Sequence, residues 1–465
     1  MLKKLISVGS IVGIIASILT LGVLPALAAG PSGTYSSGIA CVNLSLSVAQ
    51  FTITFYNDTG ATVTTVIGSI PAGGSVGYFT GSIAGLPNGF VGSAVVSSDQ
   101  PVGCSVNTQA ASGTTRVGTS NGVESADTGT KLSAPQVLNN LGGFTSYVAV
   151  QNASTSVTSA NFRVFNSSGA QVYSTTLSIP ANSSRIFYQD DGNLPAGFIG
   201  SATVESVGGS APLAGVVNFF NTGATASTAQ FLSYNAFTSG ANKVFGPRVA
   251  KNLSGVGYTS GISCQNVGSS ATSVTANFTV LNQVTGGTVT ASLTSPSLGP
   301  SQSWAIYLGN PTGTALDGIA RYFGSVIATA SSGGQVVCIF NEDNRTTFAG
   351  QGSTYNGVPD GQQTASMFFP QIVNLGSSSF QGGFQIQNTT ATATTCTYTY
   401  SNGTVVPSQP LAANGSNPVF AAAHVSSPFN GSVSVTCGQQ IVGIYNLSIF
   451  GGSGDPFATN NGINQ

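Results

Sequence analysis

The sequence predicts an all-β protein: four antiparallel β-sandwiches in tandem behind an N-terminal export signal. Three observations carry that reading. A fourfold internal repeat, each copy about 110 residues and so of ordinary domain size, fills the chain from about Gly38 onward. Short runs of β-branched and aromatic residues are punctuated by Gly, Asn, Ser and Pro, and no helical period is sustained beyond the leader. A cysteine pair present in two copies is replaced in the other two by one large apolar residue and one glycine. The copies divide the chain into 1–29 for the signal, then 30–130, 131–245, 246–365 and 366–465.

The signal has three parts: Lys3 and Lys4, the apolar stretch Leu5 to Leu24, and the small-residue cleavage site Ala26-Leu27-Ala28. An apolar stretch of this length can also anchor a chain in a bilayer. Gly9, Ser10, Gly13, Ser17 and Pro25 weaken that option, so cleavage is expected. The mature protein is then secreted, extracellular or held at the cell surface by contacts, with no membrane span.

The second copy shows the strand pattern. Pro135–Asn139, Tyr147–Gln151, Asn161–Phe165, Val172–Ile179, Ser184–Tyr188, Gly200–Glu205 and Leu213–Phe219 read as strands, and Ala229–Asn235 leads to the next copy. Alternation is clearest in the first copy, with Phe51, Ile53 and Phe55 on one face and Thr52, Thr54 and Tyr56 on the other. Seven or eight such strands predict an antiparallel sandwich of immunoglobulin-like type. A barrel or jelly roll has the same local pattern, and strand order stays open.

The cysteines give a pairing. Cys41 and Cys104 occupy the same two slots as Cys264 and Cys338. In the second copy those slots hold Val150 and Gly215, and in the fourth Ile386 and Gly443. Positions that change together from Cys/Cys to large/tiny are most simply in contact, which pairs Cys41–Cys104 and Cys264–Cys338. Cys396 shares parity with Tyr398 and Tyr400, and Cys437 with Val433 and Val435, so both point inward and form the third pair. Three disulfides suit an oxidising compartment, and each closed loop is worth roughly 4 kcal/mol in the chain-entropy model. No histidine or further cysteine completes a zinc set, so no metal site is expected.

Within-chain recurrence marks what the fold needs. Asn43, Asn152, Asn266 and Asn388 are expected to end one strand in each copy, and Asn107, Asn218, Asn341 and Asn446 another, their amides bonding backbone at turns. Gly92-Ser93, Gly200-Ser201, Gly324-Ser325 and Gly431-Ser432 follow an aromatic plug and read as packing. Copies two to four open with Pro135-Gln-Val137, Pro247-Arg-Val249 and Pro370-Gln-Ile372, whereas the first runs straight from Gly30-Pro31 to Thr34-Tyr35. At the other end the chain stops at Gln465, where a further segment of this kind would have followed Asn460-Asn-Gly462. If that segment is a strand, one terminal copy has an unpaired edge, either blunted or open to a strand from another chain.

Composition excludes several functions. Charged residues make up only 5% of the chain, with a net charge of −1, so nucleic acid is not an expected partner. A surface with so little self-repulsion favours association with itself or with neutral polymers. His424, the one histidine, has nothing in sequence to orient it as a catalytic base. The acidic pairs are Asp190-Asp191, in a turn with Gly192-Asn193, and Glu342-Asp343. The first faintly resembles a calcium turn but lacks the glutamate of a helical calcium loop and does not recur, so it reads as a solvated turn. Thirteen Asn-x-Ser/Thr triplets, from Asn43 to Asn446, barely exceed what the Ser and Thr content gives by chance. No catalytic residue, cofactor or metal is expected.

The phrases Val148-Ala-Val-Gln-Asn152, Gly200-Ser-Ala-Thr-Val204 and Pro212-Leu-Ala-Gly-Val-Val-Asn218 resemble the tandem immunoglobulin-like modules of bacterial secreted and cell-surface proteins. The resemblance covers nearly all of the mature chain and implies architecture and location, with no family catalytic residues to carry over. It implies a non-enzymatic spacer, adhesin or envelope building block. Taken together, the expectation is a rod of four sandwiches that extends from, coats or polymerises on the cell surface, its partner being itself. The alternative is an adhesin for surfaces or glycans that uses Tyr234, Tyr258 and Tyr355 at loop tips; an exported hydrolase comes third.

Overall fold

The computed structural model describes residues 35–110, 115–189, 194–209, 211–221, 229–331, 333–376, 379–449, 452 and 454–464. The leader and the Asp190–Asn193 turn lie outside the described residues. Within them the chain is β throughout, with short 3-10 turns and no α-helix. Every strand pairing is antiparallel except a two-residue parallel bridge between Gly454–Asp455 and Thr115–Arg116.

The strands fall into four groups with one plan, most easily followed in the second. Its first to fourth strands are Lys131–Asn139, Phe144–Asn152, Thr158–Asn166 and Gln171–Ile179. Its fifth to eighth are Ser184–Tyr188, Phe198–Ser206, Leu213–Asn221 and Phe231–Asn235. One sheet runs fourth, third, sixth, first; the other runs fifth, second, seventh, eighth. Apolar side chains from both sheets, including Leu132, Val148, Phe162, Val204 and Val217, make one buried core between them. This order is not the A-B-E-D and C-F-G order of an immunoglobulin constant domain, because here the first and second strands lie in different sheets. The third unit repeats it. In the fourth, the 20-residue strand Phe429–Ser448 serves as both sixth and seventh strand and fuses the two sheets.

The Pro-x-Val/Ile segments are the first strands of units two to four. Each proline sits where the register slips against the sixth strand: between Ala134 and Val137, Gly246 and Val249, and Phe369 and Ile372. A bulge is the place in a sheet where a missing N–H removes no ladder bond. Among the described residues the first unit has no such strand. Its sheet is Thr62–Ile70, Ala49–Tyr56 and Ser93–Ser98, and it ends there.

Cys41 is bonded to Cys104, Cys264 to Cys338 and Cys396 to Cys437. Each pair joins directly opposed residues of neighbouring strands within one sheet. The substituted slots are opposed in the same way, Val150 to Gly215 and Ile386 to Gly443. The glycines have a steric cause. A Cβ on Gly215 would stand 2.8 Å from Leu132 Cδ1, and one on Gly443 2.8 Å from the Phe369 ring. First-strand side chains thus fill the space in these two units.

The units do not form the expected rod. Their last strands, Thr115–Asn121, Phe231–Asn235, Gly352–Asn356 and Phe457–Asn461, pack each against the next, and the fourth returns to the first. The four sandwiches close into a ring around one pseudo-fourfold axis.

Candidate functional site

The axis is where recurrent polar residues converge. Asn121, Asn235, Asn356 and Asn461 end the four last strands and bond one another in a cycle. The Asn121 N–H donates to Asn235 Oδ1 at 3.0 Å, and Asn235 Nδ2 returns a bond to the Asn121 carbonyl at 2.7 Å. Asn235 and Asn356 make the same pair of bonds at 2.9 and 2.6 Å, and Asn356 and Asn461 at 3.1 and 2.7 Å. The fourth joint is slack. Asn121 Nδ2 donates to the Asn461 carbonyl at 3.4 Å, while the Asn461 N–H turns to Asn460 Oδ1 at 2.9 Å. The seam of the ring is therefore where first and last units meet.

A second polar layer lies beside it. Asn107, Asn218, Asn341 and Asn446, expected at strand ends, lie inside the seventh-strand segments Val102–Ala110, Leu213–Asn221, Val336–Asn344 and the second half of Phe429–Ser448. They oppose Thr119, Ser233, Thr354 and Thr459. Three of those hydroxyls donate to the opposed amide oxygen: Ser233 at 2.6 Å, Thr354 at 2.6 Å and Thr459 at 2.7 Å. Their amide nitrogens reach across joints: Asn341 Nδ2 donates to Gln136 Oε1 at 2.5 Å, and Asn107 Nδ2 to Gln371 Oε1 at 2.8 Å. The Gly-Ser serines are joints as well as packing. Ser93 donates to the Asn182 carbonyl, Ser201 to that of Ser301 and Ser325 to that of Asn414, each in the following unit. Asn182, Ser301 and Asn414 all have positive φ, which turns their carbonyls toward the neighbour. The signal available in sequence was the serine itself, present after glycine in every copy.

The charges at the axis are buried. Asp455 of the fourth unit accepts from the Gly352 N–H at 2.7 Å and the Phe231 N–H at 3.0 Å, clasping the third and second units. Its parallel bridge ties in the first unit. Burial pushes its carboxyl well above the usual range, against the pull of those N–H groups and of Arg116. Arg248 and Glu342 form a bidentate pair at 2.5 and 2.9 Å, both nearly enclosed.

Asn43, Asn152, Asn266 and Asn388 do end strands, and they do one job four times. Each side-chain oxygen accepts the N–H two residues on, and each Nδ2 donates to the carbonyl four residues on. In the first three units Nδ2 also bonds the end of the fourth strand, or the loop that follows it, tying one sheet to the other. Full burial removes Asn43, Asn152 and Asn388 from the accessible glycosylation triplets.

The tyrosines expected at loop tips are buried instead. Tyr234, Tyr258 and Tyr355 are 1%, 5% and 4% exposed, which removes them as surface ligands. Tyr234 and Tyr355 lie in last strands and point at the bulges. Tyr234 Oη donates to the Gln136 carbonyl at 2.6 Å and accepts its N–H at 3.4 Å; Tyr355 does the same for Arg248 at 2.5 and 3.0 Å. Each thus satisfies both backbone groups that a bulge leaves unpaired. Tyr258 donates to Gln351 Oε1. His424 is half-buried, its Nδ1 2.8 Å from the Tyr400 hydroxyl, and burial lowers its pKa. Among the described residues no cluster of His, Cys, Asp and Glu could hold a metal, and no helix is long and apolar enough to cross a membrane. The chemistry this axis performs is cohesion: the Asn cycle, Asn107, Asn341 and Asp455 bond neighbouring units, while Ser233, Thr354 and Thr459 brace amides of their own units. No protein-family model and no curated protein matches the chain.

Proposed function

We propose that the chain is a non-enzymatic, exported structural protein: a ring-shaped building block of a cell surface or extracellular layer that associates with copies of itself. On this reading residues 1–29 are a cleaved leader, and each unit is an immunoglobulin-like sandwich in the broad sense of two packed antiparallel sheets. Three disulfides suit assembly in an oxidising compartment.

One observation carries the reading. Each unit's fourth strand, Thr62–Ile70, Gln171–Ile179, Thr288–Thr294 and Val405–Leu411, is the last of its sheet, and none contains a charged residue. Proteins that stay monomeric guard such edges with lysine, proline or a bulge. Only the fourth unit's edge carries prolines, Pro407 and Pro410, and the bulges of the first and second edges lie at their starts, beside Thr62 and Gln171, leaving the rest of each strand in register. Three long, neutral, Thr- and Val-rich edges around one ring offer backbone donors and acceptors for lateral pairing.

Electron microscopy of the protein as it is concentrated tests this. Sheets or filaments of ring-shaped particles are expected, and Thr65→Lys, Ser174→Lys and Thr290→Lys together should leave single rings. Wild-type protein that stays monodisperse at every concentration contradicts the reading.

A further inference from the structure

The four joints of the ring are unequal away from the axial strands. At the first, Ser93 donates to the Asn182 carbonyl and Arg185 to that of Asp58. At the second, Ser201 donates to the Ser301 carbonyl and Gln302 Nε2 to that of Ser167. At the third, Ser325 donates to the Asn414 carbonyl. The second and third joints add a bond to the bulge proline of the preceding unit. Ser263 donates to the Pro135 carbonyl at 2.9 Å, and Gln385 Nε2 to that of Pro247 at 2.7 Å.

Among the described residues the seam makes none of these bonds. Ala40 stands where the third and fourth units have Ser263 and Gln385, and it carries no side-chain donor. Ser432 is the Gly-Ser serine of the fourth unit, and Gly73 holds the place of Asn182, Ser301 and Asn414 with the same positive φ, yet no bond joins the two. The spacing agrees. Gly60, Gly169 and Gly403 occupy one place in the hairpin between third and fourth strands. A Cβ on Gly60 would stand 2.9 Å from the Ala181 carbonyl oxygen and one on Gly169 3.3 Å from Gln302, each in the following unit. A Cβ on Gly403 or on Gly73 would meet no described atom within 4 Å.

The polar contacts of the seam all come from the last two strands of the first unit. Asn107 bonds Gln371, Thr119 bonds the Thr459 carbonyl, Asn121 makes its long bond to Asn461, and Thr115–Arg116 form the two-residue parallel bridge. We propose that the seam is a release joint: under tension the first and fourth units part there at lower force than any other two neighbours, with all four sandwiches still folded. Its use rests on the building-block reading, in which a ring joined to its neighbours is pulled from several sides. A seam that parts and recloses lets the ring lengthen by rigid-body rotation of its units.

Optical tweezers on single molecules test this. Leu46→Cys with Phe420→Cys places thiol handles on the first and fourth units, and Val157→Cys with Val284→Cys places them on the second and third. All four positions are exposed, and the native cysteines are paired. The first pair should separate in a reversible step at lower force than the second, before any sandwich unfolds. Ala40→Ser, which supplies the donor found at the second joint, should move that step to higher force and leave the second pair unchanged. Equal opening forces for the two pairs overturn the proposal, as does sandwich unfolding as the first event across the seam. Either result leaves the lateral pairing of rings standing, because that is read from assembled protein.

Discussion

The first and second units use one strand order and stabilise it by opposite means. In the first, the central strand pair is joined by Cys41–Cys104, and among the described residues no strand covers the sixth. In the second, Val150 faces Gly215, and Leu132 of the added first strand lies in the space over the glycine. The buried apolar cluster differs to match: the second unit's adds Leu132, Ala134, Val137 and Leu138 from that strand. A covalent staple and a packed strand are therefore two answers to one deficit. A small sandwich needs either more buried area or a less free unfolded state. The third unit has both and the fourth places its bridge in the other sheet, so the two devices are independent.

Breaking the first device costs the most. Cys41→Ala with Cys104→Ala should cost the first unit about 4 kcal/mol, because a loop spanning 63 residues is freed in the unfolded state. Exchange at Ala49–Tyr56 should then report local unfolding. Cys264→Ala with Cys338→Ala carries a similar entropic cost but should leave the third unit folded on its larger core. Equal tolerance in both units would remove the contrast.

The next breaks the second device. Gly215→Val should destabilise the second unit by roughly 1–3 kcal/mol through overpacking on Leu132, read by thermal unfolding. Leu132→Ala in the same chain should recover part of that loss. A cysteine pair at Val150 and Gly215 should oxidise readily only in the Leu132→Ala background.

The joints offer a smaller contrast. Asn235→Ala removes both bonds to Asn121 and should cost about 2 kcal/mol. Asn121→Ala deletes the single long bond at the seam and should cost less than about 1 kcal/mol on that account. The order of the two midpoints in denaturant checks it.

Smallest is a pH effect. The folded chain holds the Asp455 proton above the ordinary value of 3.8, where the unfolded chain has released it. The folded state binds the extra proton, so this group's stabilising contribution is complete below pH 3.8 and declines as pH rises through the raised folded pKa. Asp455→Asn should flatten that decline; an unchanged profile would assign it elsewhere.

The sequence made the unit legible and left the assembly hidden. Strand positions followed from alternation such as Phe51, Ile53 and Phe55, and the contact between the Val150 and Gly215 slots followed from their joint replacement. Burial of Tyr234 and Tyr355 was missed because their hydroxyls serve bulge residues about 100 positions away, a contact that local composition does not carry. Ring closure was missed for a geometric reason. A head-to-tail joint repeated along a chain gives a ring or an open helix depending on the rotation per unit, and that rotation is not written in the recurrence of Asn121, Asn235, Asn356 and Asn461.

Joining the two ends of the chain tests closure of the ring. All six native cysteines are paired, so thiols placed by Asn107→Cys and Gln371→Cys are the free ones. These positions lie 264 residues apart in sequence, and their side chains touch across the seam at 2.8 Å. A short bifunctional thiol reagent should link them within single molecules in high yield at low protein concentration. Failure to link, or linkage only between molecules, would mean that the four sandwiches stand in an open row.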